Sequence, residues 1–469
     1  MGTASPVSSN PRGATVPFAA GLPGAPASTT RLLRFAAFSL PVYAAAQPVL
    51  AFVPAIYSKQ FGIPLAVLGL IFLAGQALNS LFDPLIGVLS DRTAHRSGRR
   101  RPWIALGGLL FLVGSAMLFF PPAQAGAGWV TAGVLLYYLG AAASMTPLLA
   151  WSGEITSDYR QRTRISGLFT LLSSIALVLA LLLPTLADQL RPDDGALRLT
   201  LFGLLALVMG VPGLALTLTA FPDRPAPPAE GRIDVAGNLR AVFGNRLLLR
   251  VLASDIAVTT GQGIRTVLLV FVVTFYLQRP EWAAGFFLFQ YSFGVLAGPI
   301  WQRIGVALGK PRAAVVAELV QAAINLGLLF VTPDRFGLML FLAAAQGLSQ
   351  GSGNLMLRAM VADVADHHRL ETGQERIGLY YSVFSVSMKL GGALAVGIAL
   401  SLVGWLGFDP KASNSPEALH ALLVVFALGP AIAHALSAAL LIGFPLDERA
   451  HSQIRARLED DFPTLQPAE

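Results

Sequence analysis

Long apolar runs alternate with short polar loops along almost the whole chain. The runs are rich in Leu, Ala, Val, Phe and Gly and show no strand-like alternation. Each is about 20 residues long, which is what one helix needs to cross a hydrocarbon core. Twelve runs are legible, at 33–57, 65–90, 102–121, 128–151, 165–187, 199–221, 248–277, 283–305, 313–331, 336–360, 378–405 and 418–444. The longest connector, at 222–247, opens on a proline-rich stretch that forbids a regular helix at its start. It divides the chain into two sets of six runs. The pattern predicts an all-α membrane protein of twelve transmembrane helices in two pseudo-symmetric six-helix bundles, 31–221 and 248–446. Residues 1–30, rich in Ala, Pro, Ser and Gly, read as a disordered tail, and 447–469 as a second tail.

Composition agrees. The 469 residues are 54% hydrophobic and only 13% charged, with mean hydropathy +0.63. Soluble domains carry about a quarter charged residues. The net charge of +7 sits in the loops after even-numbered runs: Arg92, Arg96, Arg99–Arg101, then Arg160, Arg162 and Arg164, then Arg303, Lys310 and Arg312. The other loops are sparse. This asymmetry places the basic loops and both termini in the cytoplasm of a multi-pass inner-membrane protein, its partner the lipid bilayer rather than nucleic acid. There is no cysteine, hence no disulfide framework or thiolate chemistry. No nucleophile–base set, metal cluster or phosphate loop is present, so an enzyme, a metal and a cofactor are not expected, and the chain is read as a monomer.

Three stretches carry a family signature. The first is Asp83-Pro84…Gly87…Asp91-Arg92-Thr93…Gly98-Arg99-Arg100-Arg101-Pro102. The second runs from Glu154 through Asp158 and Arg160 to Arg162 and Arg164. The third joins Asp363 and Asp366 to Thr372-Gly373, Arg376, Gly378, Tyr380-Tyr381 and Lys389…Gly391-Gly392. Here the chain resembles the major facilitator superfamily, and within it the glycoside–pentoside–hexuronide:cation symporters that include the melibiose carriers. The resemblance implies two six-helix bundles rocking about a central cavity, and secondary active transport of a small polar, anionic or glycosidic solute. Departures from those carriers are specific. Asn79 stands where they have a second helix-two acid, Tyr43 near a helix-one acid, and Met145 near a helix-four acid ahead of Pro147. Asp83 and Lys389 match. A lipid or lysolipid carrier of the same fold is the alternative.

Intramembrane charges are the candidate chemistry, because an ion in hydrocarbon is costly. Arg265 lies near the middle of run seven and Lys389 near the middle of run eleven. Arg265 reads either as a forked clamp for an anionic or polyhydroxylated substrate or as one side of an ion pair with Asp255, Asp83 or Glu318. Asp83 and Asp255 are candidates for coupling a proton or sodium. Lys389 is, with Arg265, a candidate for binding the solute; Tyr43, Gln47, Asn79, Gln350 and Tyr381 supply hydroxyl and amide groups for it, and Gln346, Gln350 and Asn354 recur at helical spacing on run ten. Arg265, Lys389 and Asp83 are expected to share one hydrated cavity. Asp91, Arg92, Glu154, Arg162, Asp363 and Arg376 gather at the basic loops, where they read as a salt-bridge gate between the halves.

Overall fold

The computed structural model describes residues 28–93, 95–155, 159–191, 194–223, 235–374 and 376–461. The first half is built from α1 (Thr29–Ala36), α2 (Ser39–Ala51), α3 (Val53–Phe61), α4 (Leu65–Arg92), α5 (Arg101–Phe119), α6 (Ala127–Glu154), α7 (Tyr159–Leu190) and α8 (Gly195–Ala220). A short helix, α9 (Val235–Phe243), lies in the connector. The second half contains α10 (Arg246–Phe271), α11 (Gly285–Leu308), α12 (Lys310–Gly327), α13 (Phe336–Ser349), α14 (Ser352–Thr372), α15 (Ile377–Trp405) and α16 (Pro416–Leu441). A final helix, α17 (Glu448–Asp461), follows.

Among the described residues ten helices are long and apolar enough to cross a membrane, and α1–α3 make an eleventh pass if their 50° bend is one span. Two prolines explain the bend: Pro48 lacks the donor its turn needs, and Pro54 starts the next segment. The twelfth pass departs from the sequence reading. Residues 336–372 form two helices broken at Gln350-Gly351, where Gly351 takes φ 74°, a left-handed conformation that suits glycine. The run Ser349-Gln350-Gly351-Ser352-Gly353 interrupts the apolar stretch, and α14 continues through Arg358, Asp363 and Asp366. Gln346, Gln350 and Asn354 therefore do not share one helix face.

Two regions read as tails or linker are structured. Ser28 caps α1, its side chain accepting from the Arg31 backbone at 3.3 Å, so the first helix begins inside the expected 1–30 tail. In the expected 447–469 tail, α17 packs on α14, burying Ile454 and Leu458. Residues 1–27 and 462–469 lie outside the described residues.

Glycines set the tightest helix contacts. A Cβ at Gly107, Gly114 or Gly140 would strike the backbone of the facing helix, so α5 and α6 lie in direct main-chain contact. Replacing Gly140 with leucine should force them apart and cost about 1–3 kcal/mol, as overpacked cores do. Thermal unfolding in detergent or nanodiscs would read this as a lowered midpoint.

The halves are closed at one end and parted at the other. Far from the basic loops, one apolar core contains Phe52, Val53 and Phe72 of the first half together with Val267, Phe287 and Phe408 of the second. There Phe52 and Phe287 rings lie 5.8 Å apart, and Gly69, Gly397 and Gly404 let α4 and α15 mesh. Toward the basic end the cores separate into clusters belonging to one half each. On α4 beyond Pro84 only Ile86 and Ser90 are buried, and on α15 before Lys389 only Tyr380, Phe384 and Ser387. The cleft between the halves thus opens toward the basic loops.

Candidate functional site

The inner end of the cleft is set by one cross-half pair. Asp83 on α4 and Lys389 on α15 join as a salt bridge, and Thr146 on α6 donates to the second carboxylate oxygen of Asp83 at 3.0 Å. Both acid and hydroxyl precede a proline inside a helix, Pro84 and Pro147. Their side chains remain 21% and 33% exposed for Asp83 and Lys389, so the pair is wet. Asn79, one turn before Asp83, is half-buried, with its Oδ1 atom enclosed and unpartnered. Tyr43 and Gln47 on α2 are half-buried as well, and the Gln47 Nε2 atom has no hydrogen-bond partner.

Arg265 does not join this pair. Gly391 packs against Thr259, and Gly263 against Ala395, so α10 and α15 run side by side in parallel. That register sets Arg265 level with Gly397, about 12 Å beyond Lys389 along the helix axis. Arg265 is 4% exposed and donates from Nη1 to Gln290 Oε1 at 2.9 Å. Gln290 in turn donates to Gln350 at 3.3 Å, at the break between α13 and α14. The guanidinium lies 6.0 Å from the Phe426 ring, and its Nε and Nη2 atoms are buried without a partner. Neither Asp255, Asp83 nor Glu318 pairs with it, so the ion-pair reading of Arg265 is corrected, and so is the single three-charge cluster. Helix registers, which one sequence does not contain, separate the charges. What remains is a buried cation with two free donors, beyond the Asp83–Lys389 pair that ends the open cleft.

Asp255 on α10 is fully buried. It accepts from Ser387 at 2.7 Å and from Asn354 at 3.4 Å, while Gln262 donates to Asn354 at 3.2 Å. Tyr381 is displaced from the centre: it lies two turns nearer the basic end than Lys389, and its hydroxyl donates to the Arg358 carbonyl at 3.3 Å.

At the basic end the charged groups pair within their own halves. Arg100, read from the sequence as part of the basic loop but not of the gate, is the hub of the first half. Almost wholly buried, it reaches Asp91, Ser90 Oγ at 2.7 Å and Glu154 at 2.6 Å, and Arg99 also reaches Glu154 at 2.7 Å. Its position is fixed from behind by Asp223, which accepts from the backbone of Arg100 and Arg101 and so caps α5. In the second half Lys310 grips Asp363 at 2.7 Å, with His451 of α17 at 3.3 Å. Arg376 bonds Gln374 and the Gly237 carbonyl of the connector. Arg92 is exposed, and the side chain of Arg162 lies outside the described residues. At the closed end the sequence reading missed Arg198. It bonds buried Asp188 at 2.7 Å and crosses to the Pro280 carbonyl of the other half at 3.2 Å.

Comparison with known proteins follows this geometry. The chain is 25% identical over 393 residues to the putative glycoside/cation symporter YagG of Escherichia coli (strain K12), covering 81% of this chain and 84% of that protein. It is 20% identical to the glucuronide carrier protein homolog of the same organism, covering 86% and 90%. Among solved structures, the nucleoside transporter NupG superposes with a TM-score of 0.66 over 87% of this chain and 99% of that one, at 11% identity, a likeness of fold alone. The family profile described as MFS/sugar transport protein matches residues 35–448. With its multi-pass helical fold, its two halves about a central cleft and that match, the chain is a secondary active solute transporter and belongs to the MFS/sugar transport protein family.

Proposed function

We propose that the chain carries a glycoside or related solute bearing a carboxylate, by alternating access, and that Arg265 binds the acid group. The observation that carries this reading is the Arg265 guanidinium: buried, without a carboxylate partner among the described residues, and holding two unsatisfied donors. A forked carboxylate fits those donors and neutralises the charge. The glucuronide carrier homolog supports an acidic sugar as the ligand class. Gln290, Gln350 and Asn79 supply amides for the hydroxyls. The relatives are solute symporters, which disfavours a lipid or lysolipid cargo.

The Asp83–Lys389 pair is the coupling element in this reading. It is the polar bridge between halves at the bottom of the open cleft, so binding or loss of a cation at Asp83 changes what ties them together. Lys389 already places an ammonium at Asp83, and no second carboxylate adjoins it where Asn79 stands. This favours a proton, which needs only one carboxylate, over sodium, which needs several oxygen ligands. The positive-inside asymmetry puts the open end in the cytoplasm, so the conformation is inward-facing. The basic-end clusters, each tied within its half, are the gate in its released state. Proteoliposome uptake across a panel of acidic and neutral glycosides, with imposed proton or sodium gradients, tests the reading. Accumulation of an acidic glycoside driven by a proton gradient is expected; accumulation of neutral glycosides alone, driven by sodium, would overturn it.

A further inference from the structure

Within the second half, away from the cleft pair, a carboxylate and an imidazole are sealed together. Glu318 on α12 and His434 on α16 lie 2.6 Å apart, from Oε2 to Nδ1, and each side chain is 1% exposed. Their outer atoms, Glu318 Oε1 and His434 Nε2, are buried with no hydrogen-bond partner. Asp255 on α10, fully buried, lies near enough to interact electrostatically with Glu318. Among the described residues none of the three has a lysine or arginine partner.

The surroundings are polar but uncharged. Asn354 comes from α14 and Ser387 from α15, both onto Asp255. Lys389, two residues past Ser387, turns to Asp83. From α13, Gln346 bonds Gln321 of α12 at 2.5 Å. Ser254 and Ser437 bond each other at 2.7 Å on the side toward the basic end, beyond which Arg250 is bonded to the Leu440 and Ile442 carbonyls. Arg358 of α14 is exposed. Two ionised carboxylates with a neutral imidazole would leave a doubly negative, dry cluster, which burial strongly opposes. The cluster therefore retains at least one proton beyond those of a neutral ring and two carboxylates.

The broken helix touches this site directly. A Cβ on Gly353 would collide with Glu318 Oε1, so the first turn of α14, with its unpaired N–H groups, abuts the carboxylate. From Asp255 a hydrogen-bonded line runs through Asn354 to Gln262, one turn from Arg265. The cluster is thus connected toward Arg265, the residue proposed to bind the solute, and it borders the broken α13–α14 segment.

We propose that Glu318, His434 and Asp255 form a second proton-binding site, which holds a proton while dry and exchanges it with water when the α13–α14 break moves. The step is a simple one: a proton arrives from water on one side, resides between Glu318 Oε2 and His434 Nδ1, and leaves to water on the other side. The proposal rests on the transport reading for its role, but the site itself is testable without a substrate.

Imidazole-labelled full-length protein in lipid bilayers, studied by solid-state nitrogen NMR across a pH series, would show the site. The His434 signals, identified by their loss in His434→Gln, are expected to show a proton bound to Nδ1 against a carboxylate, to change with pH, and to shift in Glu318→Gln. Signals that do not titrate and ignore Glu318→Gln would overturn the site. In proteoliposomes, using para-nitrophenyl β-D-glucuronide as probe, Glu318→Gln should lose proton-driven accumulation while exchange persists. Wild-type-like accumulation in Glu318→Gln would overturn the carrying role. If the wild-type protein does not take up the probe, the acidic-glycoside reading fails, and the NMR result still decides the site.

Discussion

Arg265→Gln should bind an acidic glycoside far more weakly, yet fold at least as stably as the parent. The two effects have different origins. In the empty protein the guanidinium makes one amide hydrogen bond and leaves two buried donors unsatisfied. Each unsatisfied buried group costs about 1–3 kcal/mol, and more when charged, so removing the charge relieves the fold. The bound state loses a buried, hydrogen-bonded charge pair. Losing one partner of such a pair costs about 2–5 kcal/mol, and each 1.4 kcal/mol is tenfold, so the affinity should fall roughly 30-fold or more. Arg265→Lys keeps the charge without the fork and should fall between. Unfolding midpoints and ligand affinities of the three proteins, taken together, check this. A glutamine variant that unfolds early and binds normally would mark Arg265 as structural.

The second large effect concerns coupling. Asp83→Asn should abolish uphill accumulation and leave downhill exchange intact, because the solute contacts remain while the ionisable bridge is lost. It also leaves Lys389, two-thirds buried, without its partner. The single variant should therefore unfold at a lower temperature, and adding Lys389→Met should recover part of the loss. A coupling energy of about 0.5–3 kcal/mol between the two substitutions is the range for residues in contact. Accumulation that survives in Asp83→Asn would remove Asp83 from the coupling path.

Much of this was legible in the sequence, for reasons that differ from residue to residue. Up to eleven of the passes follow from run length, which hydrocarbon thickness dictates, and the division into halves from the proline-rich connector. Asp83, Arg265 and Lys389 stand out because an isolated ion in an apolar run demands a reason. Their separation was not legible: the offset between α10 and α15 is set where Gly391 meets Thr259 and Gly263 meets Ala395, a tertiary contact. Thr146 was hidden because a hydroxyl in a helix usually bonds its own backbone; only its place beside Pro147, where the melibiose carriers have an acid, hinted at more. The break at Gln350 was visible as Ser-Gln-Gly-Ser-Gly, but the four-residue spacing of the amides suggested one continuous face. Tyr381, within the third signature stretch, proved to satisfy a backbone carbonyl nearer the basic end. His434 carried no signal at all, since its significance lies wholly in Glu318, more than a hundred residues away in sequence.

The most direct test compares two ligands that differ at one group. Para-nitrophenyl β-D-glucuronide and para-nitrophenyl β-D-glucoside share the ring, the anomer and the aglycone, and differ by a carboxylate in place of a hydroxymethyl. Equilibrium binding of both to the purified protein and to Arg265→Gln isolates the carboxylate–guanidinium contact. A strong preference of the parent for the glucuronide, erased in Arg265→Gln, is the expected result. A parent that prefers the glucoside, or a glucuronide preference that survives in Arg265→Gln, would contradict it.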